Sequence, residues 1–275
     1  MFDRIIVSTD ENRMFLQFVP IVSAAWKKYF PDAQLTVALL TSRDAQDPLV
    51  LEVKKWADVR ICTPVDGVPL ANQAKLARFF VASSFKQEVC MIEDIDTIPL
   101  QKEYFYNATS QREPGKLLAV GKNVLDGTPH EGKFPISTMT AEGFIFEEIF
   151  NPERLNFSGF INTFCRLNIF DHKEDVLKDP NLFSDESATR ALISKWSKNK
   201  NINFVDRNVD IQERWIDRSW WPSSIDAEKL KSNYYVTCNF LRPLSENFSK
   251  IKPIADFIFE NNTVESEVVL KIKNN

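Results

Sequence analysis

The chain has 275 residues, 44% of them hydrophobic, enough to bury a large core within one generous α/β domain. Its 34 basic and 38 acidic side chains leave a formal charge of −4, which argues against nucleic acid or an anionic membrane as a bulk electrostatic partner. Four scattered cysteines without a CxxC pair exclude a zinc ribbon and a dense disulfide framework, and two histidines, His130 and His172, exclude a His-rich metal site and read as loop residues.

The first apolar run, Arg4-Ile5-Ile6-Val7-Ser8-Thr9-Asp10, is continuous rather than alternating, which predicts a strand covered on both faces in a parallel sheet. Phe15, Phe18, Val19, Val22, Ala25, Trp26 and Tyr29 then recur on one face of a helix that Pro20 kinks or restarts. Leu35 to Leu40 and Asp58 to Cys62 read as the second and third strands, with a helix around Leu49 to Trp56 between them. Pro69 suits the first position of a helix running to Ser84, with Leu70, Ala74, Ala77, Phe80 and Val81 on its buried side. The fourth strand, Val89 to Ile92, ends on acids. Strands alternating with helices predict an open, mostly parallel sheet flanked by helices, in which ligands bind beyond the carboxyl ends of the strands.

Downstream, Lys116 to Val120 predicts a short strand, Gly121 to Thr140 a surface loop, and Ala141 to Phe150 a strand or a helix. Ser184 to Trp196 reads as a helix capped by Ser184 or Asp185, and Ile202 to Val205 and Tyr234 to Cys238 as two strands flanking an aromatic segment. One domain over 1–245 is expected, with a regular half to about 120 and an irregular half beyond, followed by a tail over 246–275 that forms a helix and a strand on the surface. No apolar run approaches the ~20 residues that span a bilayer. Met1-Phe2-Asp3-Arg4 carries charge at once, so a cytoplasmic protein without a signal peptide is expected.

The chemistry gathers at Val89-Cys90-Met91-Ile92-Glu93-Asp94-Ile95-Asp96. In extended geometry Asp94 and Asp96 share a face, and two hard oxygen ligands suit Mg²⁺ or Mn²⁺ that also takes oxygens from a diphosphate. Such an ion neutralises charge on a leaving nucleoside diphosphate. Glu93 adds a third acid, although a solvated strand end capped by acids has the same pattern. Lys75 and Arg78 on the preceding helix are i, i+3 neighbours that can face one ligand, or simply form a salt-bridged helix surface.

In the order of these segments the chain resembles the GT-A glycosyltransferases, in particular the compact glycogenin-like ones, which set a Lys/Arg-bearing helix and a hydrophobic strand before a DxD. The resemblance implies a GT-A type, Rossmann-like fold and a metal-dependent transfer of sugar from a nucleoside-diphosphate sugar, most commonly UDP, to a hydroxyl of a carbohydrate or glycoconjugate. It implies that Ser8, Thr9, Asp10 and Asn12 touch the nucleotide. Asp94 would meet the ribose or the metal and Asp96 the metal, while Lys75 and Arg78 would meet the diphosphate. Asn156-Phe157-Ser158-Gly159-Phe160 is similar to the family's Asn-(Ala/Ser)-Gly segment beside the sugar, with Phe157 inserted, which brings in Ser158 and Gly159. Phe183-Ser184-Asp185-Glu186-Ser187-Ala188 resembles its acidic helix start; Asp185 or Glu186 would be the general base of an inverting reaction, which the two adjacent acids favour, or would orient the sugar in a retaining one. The family's C-terminal His is missing from Tyr235-Val236-Thr237-Cys238-Asn239-Phe240-Leu241-Arg242-Pro243. There Asn239 would give the metal an oxygen and Arg242 would hold phosphate, Cys238 being too soft a ligand.

The segment Arg214 to Pro222, rich in Trp and Arg, reads either as an acceptor-binding surface or as core. Two rival classes use similar acids. A haloacid-dehalogenase-type phosphatase has its nucleophile in a DxD, but wants Thr or Val where Ile98 stands. A non-catalytic nucleotide-sugar-binding module needs no base at all.

Overall fold

A computed structural model describes residues 1–121, 123, 136–166, 185–197, 202–206 and 214–260. His130, His172 and Ser184 lie outside the described residues. The main sheet has seven strands. Four of them, β1 (Arg4–Asp10), β2 (Gln34–Leu40), β3 (Asp58–Cys62) and β4 (Val89–Ile92), run parallel in the order β3-β2-β1-β4. The small strand β5 (Thr97–Pro99) leaves this sheet, which continues through β6 (Leu117–Val120), β7 (Met139–Glu142) and β8 (Ile202–Val205) in the order β4-β7-β6-β8. β7 is antiparallel to both its neighbours, and β8 is parallel to β6.

The continuous apolar run of β1 has the expected cause. Ile5 and Val7 point into one core cluster and Ile6 into the other, so successive residues serve opposite faces of the sheet. The first cluster is covered by α2 (Val19–Tyr29), by α3 (Pro48–Lys54) and by the last described helix, and the second by α4 (Leu70–Ser84). Pro20 does restart the helix: a single turn, α1 (Arg13–Leu16), precedes α2, which carries Pro20 in its first turn. Pro69 stands just outside α4 rather than at its first position.

α5 (Lys102–Ser110) follows β5. The loop expected over 121–140 is shorter at its end, because Met139 and Thr140 already belong to β7 and are fully buried. Hydrogen-bonded partners on both sides, rather than β-propensity, make this Met-Thr-Ala-Glu segment a strand. The stretch expected as strand or helix is both, since β7 runs directly into α6 (Gly143–Phe150). α7 (Phe157–Arg166) and α8 (Asp185–Trp196) complete that side.

A second sheet of three short strands, in the order β5-β10-β9, joins β5 to β9 (Trp215–Ile216) and β10 (Thr237–Asn239). β10 is antiparallel to β5 and parallel to β9. α9 (Ala227–Lys231) and α10 (Leu244–Ile258) close the described chain. α10 places Ile251, Ile254, Ala255 and Ile258 in the same cluster as Phe18 and Trp26, so its apolar face is part of the core. The strand expected near the C-terminus falls within 261–275, outside the described residues. No described helix is long and apolar enough to cross a membrane.

Candidate active site

The parallel strands spread in both directions from β1, with β2 on one side and β4 on the other. At such a switch point the carboxyl ends of two strands diverge and leave a crevice. A cavity of about 280 Å³ lies there, bounded by Ser8, Thr9 and Asp10 at the end of β1 and by Asp94, Ile95 and Asp96 after β4. Lys75 and Arg78, one turn apart on α4, line its side, and Arg218 and Arg242 complete it.

The acids do not sit on an extended strand as expected. Glu93 N–H donates to Ile6 O at 3.0 Å, ending the ladder, and Thr97 N–H donates to Asp94 O at 3.1 Å, closing a tight turn over residues 94–97. Glu93 is fully buried. Its carboxylate accepts from Asp94 N–H (3.1 Å) and from the Thr138 hydroxyl (2.7 Å), so this third acid braces the turn and does not line the cavity. Asp94 and Asp96 reach the cavity differently. The Asp94 side chain is 37% exposed and that of Asp96 only 1%.

Each acid is met by guanidinium. Arg78 Nη1 donates to Asp94 Oδ1 at 2.6 Å and to Glu93 O at 3.1 Å. The small sheet delivers the other two arginines. β9 is followed by Asp217, whose carboxylate accepts from Ser219 N–H (2.8 Å) and caps the 3₁₀ turn Arg218–Trp220. β10 is followed by Phe240, whose N–H donates to Asp96 O at 2.9 Å, and then by Arg242. Arg218 Nη1 and Arg242 Nε and Nη2 all fall 2.5 Å from Asp96 Oδ2. The Arg242 guanidinium also lies 4.9 Å from the centre of the Phe15 ring.

Burial pushes the Asp94 carboxyl upward, but Arg78, with Arg218 and Arg242 behind it, outweighs that effect and holds it below its ordinary range. Asp96 moves the other way: burial, with the charge of Asp94 adding to it, raises its carboxyl against the pull of Arg242 and Arg218. Around the cavity the cations Lys75, Arg78, Arg218 and Arg242 outnumber the acids Asp10, Asp94 and Asp96. That balance suits an anionic ligand.

One feature suits a divalent cation: Asp96 Oδ1 is sealed from solvent and has no hydrogen-bond partner. The rest of the donor set does not. Asp96 Oδ2 is shared by two guanidiniums, and Asp94 Oδ1 is taken by a third. Asn239 Oδ1 accepts from the Thr97 hydroxyl at 2.9 Å, while its amide nitrogen donates to Asp217 at 3.3 Å. Cys238 is fully buried, and burial holds its thiol well above the ordinary range. Among the described residues no three His, Cys, Asp or Glu side chains cluster as a metal site. A dication beside Asp96 would stand next to two guanidiniums that repel it, while the carboxylate oxygens that would offset that repulsion are largely paired already. The described residues therefore fit guanidinium, not Mg²⁺ or Mn²⁺.

The remaining expected site residues are dispersed. Asn12 caps α1, accepting from Met14 N–H at 2.9 Å, and its own N–H donates to the Asp10 carboxylate at 3.0 Å. Asn156 accepts from Gly159 N–H at 2.9 Å, so Ser158 and Gly159 form the first turn of α7 and do not line the cavity. The inserted Phe157 explains this placement. It packs edge-on against Phe80 of α4 with ring centres 5.2 Å apart, and it shares an apolar face with Phe160, Ile161 and Phe164. Asp185 and Glu186 open α8, but their side chains lie outside the described residues.

Arg218 is not legible as a site residue in the sequence, although the Trp- and Arg-rich character of its segment marks the place. That segment is neither all core nor all surface. Trp221 packs partly buried against the first cluster, while Trp220 is 54% exposed.

No family model and no curated protein matches the sequence. Solved structures do resemble the fold. The chain is similar to an active-site mutant of LgtC, with a TM-score of 0.52 and 10% identity over 95% of each chain. It is also similar to the apo form of the glycosyltransferase GlyE of Streptococcus pneumoniae TIGR4, with a TM-score of 0.50, 8% identity and coverage of 98% of this chain and 62% of that one. A further match is the galactosyltransferase LgtC in complex with donor and acceptor sugar analogs, with a TM-score of 0.48, 9% identity and 95% of each chain covered. With its seven-stranded, mostly parallel sheet flanked by helices and an acidic turn after β4, this chain has the GT-A glycosyltransferase fold.

Proposed function

We propose that the chain is a glycosyltransferase that takes a sugar from a nucleoside-diphosphate sugar, UDP being the expected nucleotide, and passes it to a hydroxyl of a carbohydrate or glycoconjugate. The observation that carries this reading is the convergence of Lys75, Arg78, Arg218 and Arg242 on one cavity at the strand switch point, next to Ser8, Thr9 and Asp10. A diphosphate brings the negative charge that such a set of cations matches, and planar guanidinium pairs well with phosphate oxygens. The fold shared with LgtC and GlyE supports sugar transfer as the reaction class.

In this reading Ser8, Thr9 and Asp10 hold the nucleoside, Asp94 meets the ribose or sugar, and the cations receive the charge that builds on the leaving diphosphate. Asp185 or Glu186 takes the proton of the acceptor hydroxyl, which makes the reaction inverting.

A thermal-shift screen of UDP- and GDP-sugars, followed by assay of donor turnover, tests the reading. A ligand bound only by the folded state raises the melting temperature, and one sugar nucleotide should stand out. Asp94→Asn should then abolish turnover while keeping the fold. Turnover absent from a chain that binds sugar nucleotide would leave a binding module instead, and a phosphoaspartate trapped at Asp94 would mark a phosphatase.

A further inference from the structure

Two cations that share one carboxylate oxygen are an unusual pairing, since each repels the other and neither needs the same atom. We propose that Arg218 and Arg242 take the place of a divalent cation, so that this chain binds the diphosphate of its donor, and lets it leave, through cationic side chains without a metal ion. The inference rests on the donor reading above and specifies how that donor's charge is met.

Three observations lead to it. First, both arginines reach Asp96 Oδ2 at 2.5 Å, so the carboxylate that would bind an ion already carries two guanidiniums. Second, each is fixed by backbone pairing: Arg218 follows β9 and Arg242 follows β10, adjacent strands of one small sheet, while Phe240 N–H ties β10's exit to Asp96 O. Third, both side chains keep access to the cavity they line, at 38% and 30% exposed, while Asp96 beneath them is 1% exposed. Asp96 then acts as a buried anchor that holds two guanidiniums side by side. A guanidinium carries five N–H donors, more than one carboxylate oxygen takes up, and its fork matches phosphate oxygens in pairs.

The step balances without another reactant. The bond from the anomeric carbon to the diphosphate oxygen breaks, and its electron pair stays on that oxygen, facing the guanidiniums. The acceptor oxygen forms the new bond to carbon, and its proton passes to the carboxylate base. The arginines remain protonated throughout, as guanidinium does in proteins.

Isothermal titration calorimetry of the full chain with UDP and with GDP, in EDTA and then in Mn²⁺, decides the matter. We expect one nucleotide to bind in EDTA with a Kd within about threefold of its value in Mn²⁺. Arg218→Gln and Arg242→Gln should each weaken binding by about tenfold or more, with no rescue by Mn²⁺. Arg242→Lys, which keeps the charge but loses the fork, should fall between wild type and Arg242→Gln, and melting curves show whether each variant folds. Binding that appears only with Mn²⁺ overturns this inference and leaves the donor reading standing. Binding by neither nucleotide in either buffer overturns both, and a folded Arg242→Lys that binds as tightly as wild type overturns the claim for Arg242.

Discussion

Arg78 reaches from the middle of α4 to the end of β4 and holds two things at once, the carbonyl of Glu93 at 3.1 Å and the carboxylate of Asp94 at 2.6 Å. Its side chain is 3% exposed, so it is a structural tie as well as a wall of the cavity. The Asp94 side chain is 37% exposed, so the carboxylate left behind is partly solvated and the cost is below that of a fully buried pair. Arg78→Met should therefore destabilise the fold by about 1–3 kcal/mol, and nucleotide binding should fall with it. Urea denaturation of the two proteins measures the first effect. An Arg78→Met protein as stable as wild type would show that the tie is dispensable.

The same pair sets a pH dependence. Asp94 has its folded-state carboxyl held below the unfolded value, because Arg78, Arg218 and Arg242 outweigh its burial. A depressed carboxyl binds protons more weakly in the folded chain than in the unfolded one. Its stabilisation is complete above the unfolded value of about 4 and is lost as pH falls through the folded value below it. Asp94→Asn lacks this contribution at every pH. The stability gap between wild type and Asp94→Asn should be largest at neutral pH and should narrow at about pH 3. A gap of constant size across that range would contradict the assignment.

Gly143 makes a prediction about the frame behind the site. It opens α6 against the end of α4, where an added Cβ would stand 2.3 Å from Phe85 O, 2.5 Å from Phe85 C and 2.7 Å from Ala82 O. All three are backbone atoms, which cannot swing aside as a side chain would. Gly143→Ala must push α6 off the C-terminal end of α4, the helix that carries Lys75 and Arg78 further toward its start. Overpacking of this kind costs about 1–3 kcal/mol, and the melting temperature should drop by several degrees. An unchanged melting temperature would mean that the two helices are not in contact there.

How much of this is legible in the sequence depends on the range of the interactions involved. β1 and β4 announce themselves because each is a continuous apolar run serving two core faces, and α4 because its apolar residues recur with helical spacing, although Leu70, expected on the buried side, is 49% exposed and Leu76 and Phe79 are buried in its stead. Lys75, Arg78, Asp94 and Asp96 are near one another in sequence, so their meeting follows from one helix-strand unit. The small sheet is different. Thr97–Pro99 and Trp215–Ile216 are too short to show a period, Thr237–Asn239 shares only two residues with the strand expected over Tyr234 to Cys238, and the Thr97–Asn239 bond spans 142 residues. The meeting of Arg218 and Arg242 at Asp96 is therefore a property of tertiary pairing. Asn156-Phe157-Ser158-Gly159 illustrates the opposite error, since a local pattern that suits a sugar-facing loop also suits a helix cap, and the apolar face that begins at Phe157 decides between them.

Trp220 carries the last prediction. It occupies the same 3₁₀ turn as Arg218, and at 54% exposed it presents much of its indole to solvent beside the cavity wall. Its neighbour Trp221 is held by the core, so the turn has a fixed side and an open one. In the proposed transferase, a flat exposed aromatic face in the turn that carries Arg218 is suited to stack on an acceptor ring, whereas the charged cavity suits the donor. Contacts of an aromatic face are worth on the order of 1 kcal/mol, about a fivefold change in affinity. Trp220→Ala should therefore raise KM for the acceptor about fivefold, with kcat nearly unchanged. Nucleotide binding and melting temperature should stay close to wild type, because an exposed side chain outside the core changes stability by about 0.5 kcal/mol or less. Steady-state kinetics with acceptor and donor varied in turn separate the two effects. Loss of donor binding in Trp220→Ala would place the indole on the nucleotide side and sink its assignment to the acceptor.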